Sequence, residues 1–179
     1  MTPKNEAQLI EEVSRWAEQN FATCRAPALG VIEEIGEATH CVLKKFQKIR
    51  GFNRLDYFEK HFTDALADCV IYLCDWCALH KAFFNFGRNQ HQLETLTFDD
   101  EHTIIVHLLQ GSAAMLALDL NVMEDTAMQA AANAMAQRIC TGLECWATLY
   151  KIDLPLAVSA TWSEVSKRDW VKNPVTAGN

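Results

Sequence analysis

The chain has 179 residues, half of them hydrophobic, and carries a formal net charge of −7. That length fits one domain with a real core, and the apolar share argues against a chain disordered throughout. The charge argues against a general nucleic-acid binder, since phosphate contact calls for a basic surface. A nucleotide can still bind where Mg²⁺ bridges two anions.

Four prolines and seven glycines interrupt a sequence rich in Ala, Leu, Glu and Gln. That composition favours helices. The expected fold is all-α: an antiparallel bundle of about six helices, with residues 1–179 as one domain. The polar start TPKNEAQ does not read as a signal peptide, and no run of about 18 apolar residues predicts a membrane span. Cys41, Cys69, Cys74, Cys77, Cys140 and Cys145 fall within apolar helical patterns. Free, buried thiols in a reducing cytoplasm are the expectation. Cys74 and Cys77 form a CxxC, but a lone CxxC is a weak zinc or redox signal beside ordinary core packing.

In chain order, Leu9, Ile10, Val13, Trp16, Ala17 and Phe21 recur at helical steps, predicting a helix over 5–21 capped by Thr2 or Asn5. Residues 22–28 form a break, and Pro27 suits the first turn of a helix reaching about Gln47. Gly36 within it is expected to mark a close helix crossing beside the acids, and Arg50-Gly51 to end the segment with glycine at C′. A third helix is expected from Leu55 to Leu79, with Asp75 near its end either supporting the acids from behind or simply exposed, and Trp76 as packing. Residues 81–101 read as an irregular connection, tacked to the core by Phe83, Phe84 and Phe86, or as a lid. Helices follow over 102–120 and about 125–151, with Asp99 or Asp100 and then Asp125 as caps. His102 and His107, five apart, read as ordinary residues. Asp153 caps a last helix with Pro155 in its first turn, running to about Trp170.

Two stretches carry the chemistry. GVIEEIGEATHCVLKK, from Gly30, places Glu33, Glu34 and Glu37 within about one turn. DALADCVIYLCDWC, from Asp64, places Asp64, Asp68 and Tyr72 at steps of four. Apolar neighbours (Ile32 and Ile35, then Leu66 and Val70) set these carboxylates beside faces that should be buried. Like charges at such spacings repel, and an unpaired buried charge is costly. A divalent cation between the two helices resolves both problems. Donors that are all carboxylate oxygens suit Mg²⁺ above other metals, with Mn²⁺ as its substitute. For a lone EExxE the plainer reading is a solvated face; the second acidic pair one hairpin later favours the metal.

EEIGE at 33–37 followed by DALAD at 64–68 resembles the MazG-like all-α nucleoside triphosphate pyrophosphohydrolases, whose pattern is EExxE, a spacer, then ExxD. TWSEVSKRDWVKNP, from Thr161, resembles the C-terminal helix of phage-type MazG-like proteins. The resemblance covers roughly residues 5–79 and 152–174. One position departs: the glutamate of ExxD is Ala65 here, and Asp64 is expected to take over its role.

The resemblance implies Mg²⁺-dependent hydrolysis of a (deoxy)nucleoside triphosphate to the monophosphate and pyrophosphate. Glu34, Glu37, Asp64 and Asp68 are the implied metal ligands, and Glu33 either completes a second metal position or orients the attacking water. Tyr72 is implied near the nucleotide; Trp16 and Phe21 read first as core packing, with an aromatic near the end of the first helix bordering the base pocket as the alternative the resemblance adds. Lys45, Lys48 and Arg50, from a basic run with Lys44 and Arg54, read either as a triphosphate clamp or as a solvated helix end favoured by the dipole. Lys167 and Arg168 carry the same alternative. No GxxxxGK[ST] or nucleophilic Ser or Cys arrangement is present. A dUTPase-like diphosphatase, or a catalytically silent helical nucleotide-binding scaffold, remains open beside this reading. A homodimer or tetramer is expected, without a membrane or nucleic-acid polymer as partner. VIEEIGEATH (31–40) aligns faintly with VHLLQGSAAM (106–115), and LADCVIYLCD with LECWATLYKI, as if 5–80 were an active half and 95–172 a degenerate one.

Overall fold

The computed structural model describes residues 5–21, 25–87, 101–119 and 126–172. Every regular element among them is a helix: α1 (Glu6–Phe21), α2 (Pro27–Gln47), α3 (Leu55–Leu79), α4 (Glu101–Asp119), α5 (Thr126–Leu149) and α6 (Leu154–Val165). None is long and apolar enough to cross a membrane. Thr2, Asp99, Asp100 and Asp125 lie outside the described residues, as does the stretch 88–100.

The organising element is α3. From Ala65 to Cys77 almost every side chain is buried, Asp75 included. Such all-round burial places a helix inside the bundle, and α3 packs on α1, α2, α5 and α6. The outer helices bury one stripe each: Leu9, Val13 and Ala17 in α1; Val31, Ile35, Ala38 and Val42 in α2. Asn5 caps α1, its Oδ1 accepting from the Ala7 amide at 2.9 Å. Asp153 caps α6 by accepting from the Leu156 amide at 3.0 Å, with Pro155 in the first turn. All six described cysteines are free and buried, and burial pushes the Cys74 and Cys77 thiols up, as packed apolar thiols behave.

Three local expectations are corrected. Gly36 marks no crossing: it is exposed, and a Cβ there would meet nothing within 4 Å. Gly30 holds that position instead, since its Cβ would run into the Tyr72 ring of α3. Helix α2 ends earlier than Gly51, at Lys48, which takes the left-handed cap conformation (φ 55°) while its amide bonds back to Lys45. Helix α6 stops at Val165, because Lys167 and Arg168 tighten into turns on Glu164 and Val165. The next residues are then claimed by α1: Trp16 Nε1 donates to the Arg168 carbonyl at 3.0 Å, and the Trp170 amide to Asn20 Oδ1 at 2.7 Å.

Residues 81–87 run without helix, and side chains of other segments hold much of their backbone. Amides of Phe83, Asn85, Phe86 and Gly87 donate to Asn133, Gln137, Glu6 and Glu144. Phe84 is buried and Phe86 half-buried, whereas Phe83 is 51% exposed, so two of the three phenylalanines anchor the segment. Helices α4 and α5 cross closely through two glycines. A Cβ on Gly111 would lie 2.7 Å from Ile139, and one on Gly142 2.7 Å from Leu108. Gly36 and Gly111, aligned in the faint repeat, thus stand in opposite environments.

Candidate active site

The acids of α2 and α3 face one another because each helix buries the stripe next to them. Val31 and Ile35 turn into the core, leaving Glu34 half-buried at the interface and Glu33 and Glu37 exposed beside it. Ala65, Leu66 and Cys69 do the same for α3, leaving Asp68 half-buried and Asp64 exposed. Burial pushes the Glu34 carboxyl up to about 8, and repulsion from Asp68, Glu37 and Glu33 adds to it. Burial likewise raises Asp68 to about 6, with Asp64 and Glu37 adding and Arg168 pulling the other way. Cys41, one turn beyond Glu37, is raised to about 11 by burial and then by Glu37 and Asp64. The carboxylates therefore share one electrostatic neighbourhood.

The departure at position 65 has a structural counterpart. Ala65 is 2% exposed and packs in the core. Asp64 is the α3 acid that acts on Asp68 and reaches toward α2.

Beside the acids lies a cavity of about 530 Å³. Glu34 and Asp68 form one wall, with Tyr72 and Ile71 of α3 next to them. Helix α1 supplies Trp16 and Phe21, paired edge to face with centroids 5.4 Å apart. Arg168 and Trp170 of the C-terminal turn complete it. A mostly apolar cavity of this size with a few polar groups at one end is the usual form of a small-molecule site.

The other predicted cations lie elsewhere. Lys45 sits over the Phe58 and Tyr150 rings, its Nζ 4.1 Å from each centroid. Burial lowers its pKa, against Glu101 and Glu59. Lys48 and Arg50 are exposed at the α2–α3 turn, and Lys167 pairs with Glu164 at 2.8 Å on the surface. Of the five, Arg168 alone lines the cavity.

Two features escaped sequence reasoning. Trp170 lines the cavity, yet its aromatic character alone carries no such signal. Arg25, in the break before α2, pairs with the buried Asp75 and also donates to Ser14 Oγ at 3.0 Å. Asp75 is thus a structural ion-pair partner and not an exposed acid: burial raises its pKa against the pull of Arg25. Nothing in the local sequence of either residue announces a partner 50 positions away.

Whether the acids suit Mg²⁺ rests on their chemistry. The donors are hard carboxylate oxygens, and Glu34 and Asp68 bear repulsion that a cation would relieve. Among the described residues, no three His, Cys, Asp or Glu side chains already meet on one ion-sized point. The donor set fits the ion while the side chains stand apart from a finished coordination sphere. Comparison with protein-family models, with curated proteins and with solved structures finds no match in any of the three.

Proposed function

We propose that this chain is a MazG-like nucleoside triphosphate pyrophosphohydrolase, cleaving its substrate to the monophosphate and pyrophosphate. The observation that carries this reading is the pair Glu34 and Asp68, which line an aromatic-walled cavity and are repelled by Glu37, on Glu34 and Asp68 alike, and by Asp64, on Asp68. Those four residues would hold Mg²⁺, which when bound neutralises phosphate charge and acidifies a water. The protein's own work is then positioning and charge. Trp16, Phe21 and Tyr72 offer planar faces to a base. Arg168 offers the cavity's cation to a phosphate oxygen. Glu33, exposed on α2 beside Glu34, would orient water or complete a second metal position.

The test is pyrophosphate release from a panel of NTPs and dNTPs, dUTP included, with Mg²⁺ or Mn²⁺, for the wild type and Glu37→Gln. Release from one nucleotide, lost in the variant, is expected. A folded wild type that releases none refutes the reading. Ala65 and the unconverged acids favour one alternative, a silent nucleotide-binding scaffold. That alternative predicts no thermal stabilisation by either metal.

A further inference from the structure

We propose that the turn between α2 and α3 is a second ligand site, separate from the carboxylate cavity, which takes a nucleotide through its phosphates and its ring. In a chain of net charge −7, residues 38–55 contain no acid but carry Lys44, Lys45, Lys48, Arg50 and Arg54. Lys44 is engaged by Gln47 and Arg54 by Asp56. Among the described residues, Lys48 and Arg50 have no acidic partner, and both are exposed. Two cations left unpaired in an acidic protein make an anion site by charge complementarity.

The backbone of the turn supports the same reading. Lys48 and Arg50 both have φ of 55°, and Gly51 has 83°. Two non-glycine residues in the left-handed region within three positions form a strained turn, of a kind retained at ligand sites. Amides of Arg50 and Gly51 donate to no protein acceptor among the described residues. Successive free amides in such a turn form an anion-binding concavity.

Beside them is a cavity of about 420 Å³, lined by Lys45, Lys48, Asn53 and the rings of Phe46, Phe52 and Phe58. It shares no lining residue with the carboxylate cavity. Lys45 is two turns beyond Glu37 on α2, about 12 Å along the axis. Rings beside unpaired cations match a phosphorylated, planar ligand better than a bare anion. Phe46 is 58% exposed, which leaves it available to stack on a base.

The test is calorimetric titration of ATP into the full chain in EDTA, where the acidic cavity has no divalent cation to receive a triphosphate. Saturable binding is expected, weakening with salt. The Lys48→Glu/Arg50→Glu double variant should lose about tenfold or more in affinity, and Glu34→Gln should bind as the wild type does. Inorganic tripolyphosphate should bind more weakly than ATP. Phe46→Ala, at an exposed position that folding does not need, should weaken ATP without weakening tripolyphosphate. Absence of ATP binding, unchanged binding in the double variant, or loss in Glu34→Gln overturns the proposal. So does tripolyphosphate binding as tightly as ATP, or a thymidine oligonucleotide binding more tightly. None of these outcomes depends on hydrolysis, so the pyrophosphohydrolase reading stands or falls separately.

Discussion

Replacing Glu34 with glutamine should make the metal-free protein more stable while removing its response to metal. Glu34 titrates at about 8 in the fold, against an ordinary value of 4.5. The native state therefore holds a proton that the unfolded chain has released. Stability falls as pH rises from about 4.5 to 8, and the full penalty stands above that window. The difference of 3.5 units converts to about 5 kcal/mol at most. Glu34 keeps solvent contact, and screening reduces that to about 1–2 kcal/mol. For a chain of this size, that is about 3–6 °C in Tm. Thermal unfolding of both proteins in EDTA at pH 8.5 should show Glu34→Gln melting higher, and at pH 4.5 the gap should close. Added Mg²⁺ should then raise the wild-type Tm by about 2.7 kcal/mol equivalent at a hundredfold excess over Kd, and leave the variant unmoved. A variant melting lower at pH 8.5, or a gap independent of pH, would refute the argument that Glu34 is held ionised against its neighbours.

Gly30→Ala should destabilise by about 1–3 kcal/mol, because its Cβ enters the Tyr72 ring. Gly36→Ala should stabilise by about 0.5–1 kcal/mol, with open space around it; urea titration of the pair checks both signs. Arg168→Ala should raise KM about tenfold with kcat less affected, since the cavity loses its cation; steady-state kinetics on the nucleotide found by the screen decides this. Arg25→Met should cost about 2–4 kcal/mol by stranding buried Asp75, and adding Asp75→Leu should recover most of it. A double variant no better than the single would show that the pair does more than neutralise itself.

Much of this molecule is legible in its amino-acid sequence. The apolar repeat of 3.6 residues is a local property, so α1, α2 and α3 fall within a residue of where their periodicity puts them. Asn5, Pro27, Asp153 and Pro155 act through groups at most three positions away, and they too are readable. The same local geometry sets Asp64, Asp68 and Tyr72 in one column, and Glu33, Glu34 and Glu37 in one turn. What no local rule reaches is the partner on another helix. Lys45 is drawn to the Phe58 and Tyr150 rings while Arg168, from the far end of the chain, takes the place beside Asp68. Arg25 meets Asp75, and Gly30 rather than Gly36 lies against α3. These pairings follow from how each helix is rotated about its axis and from where the chain leaves it. Both are decided by the whole core packing at once, with α3 at its centre.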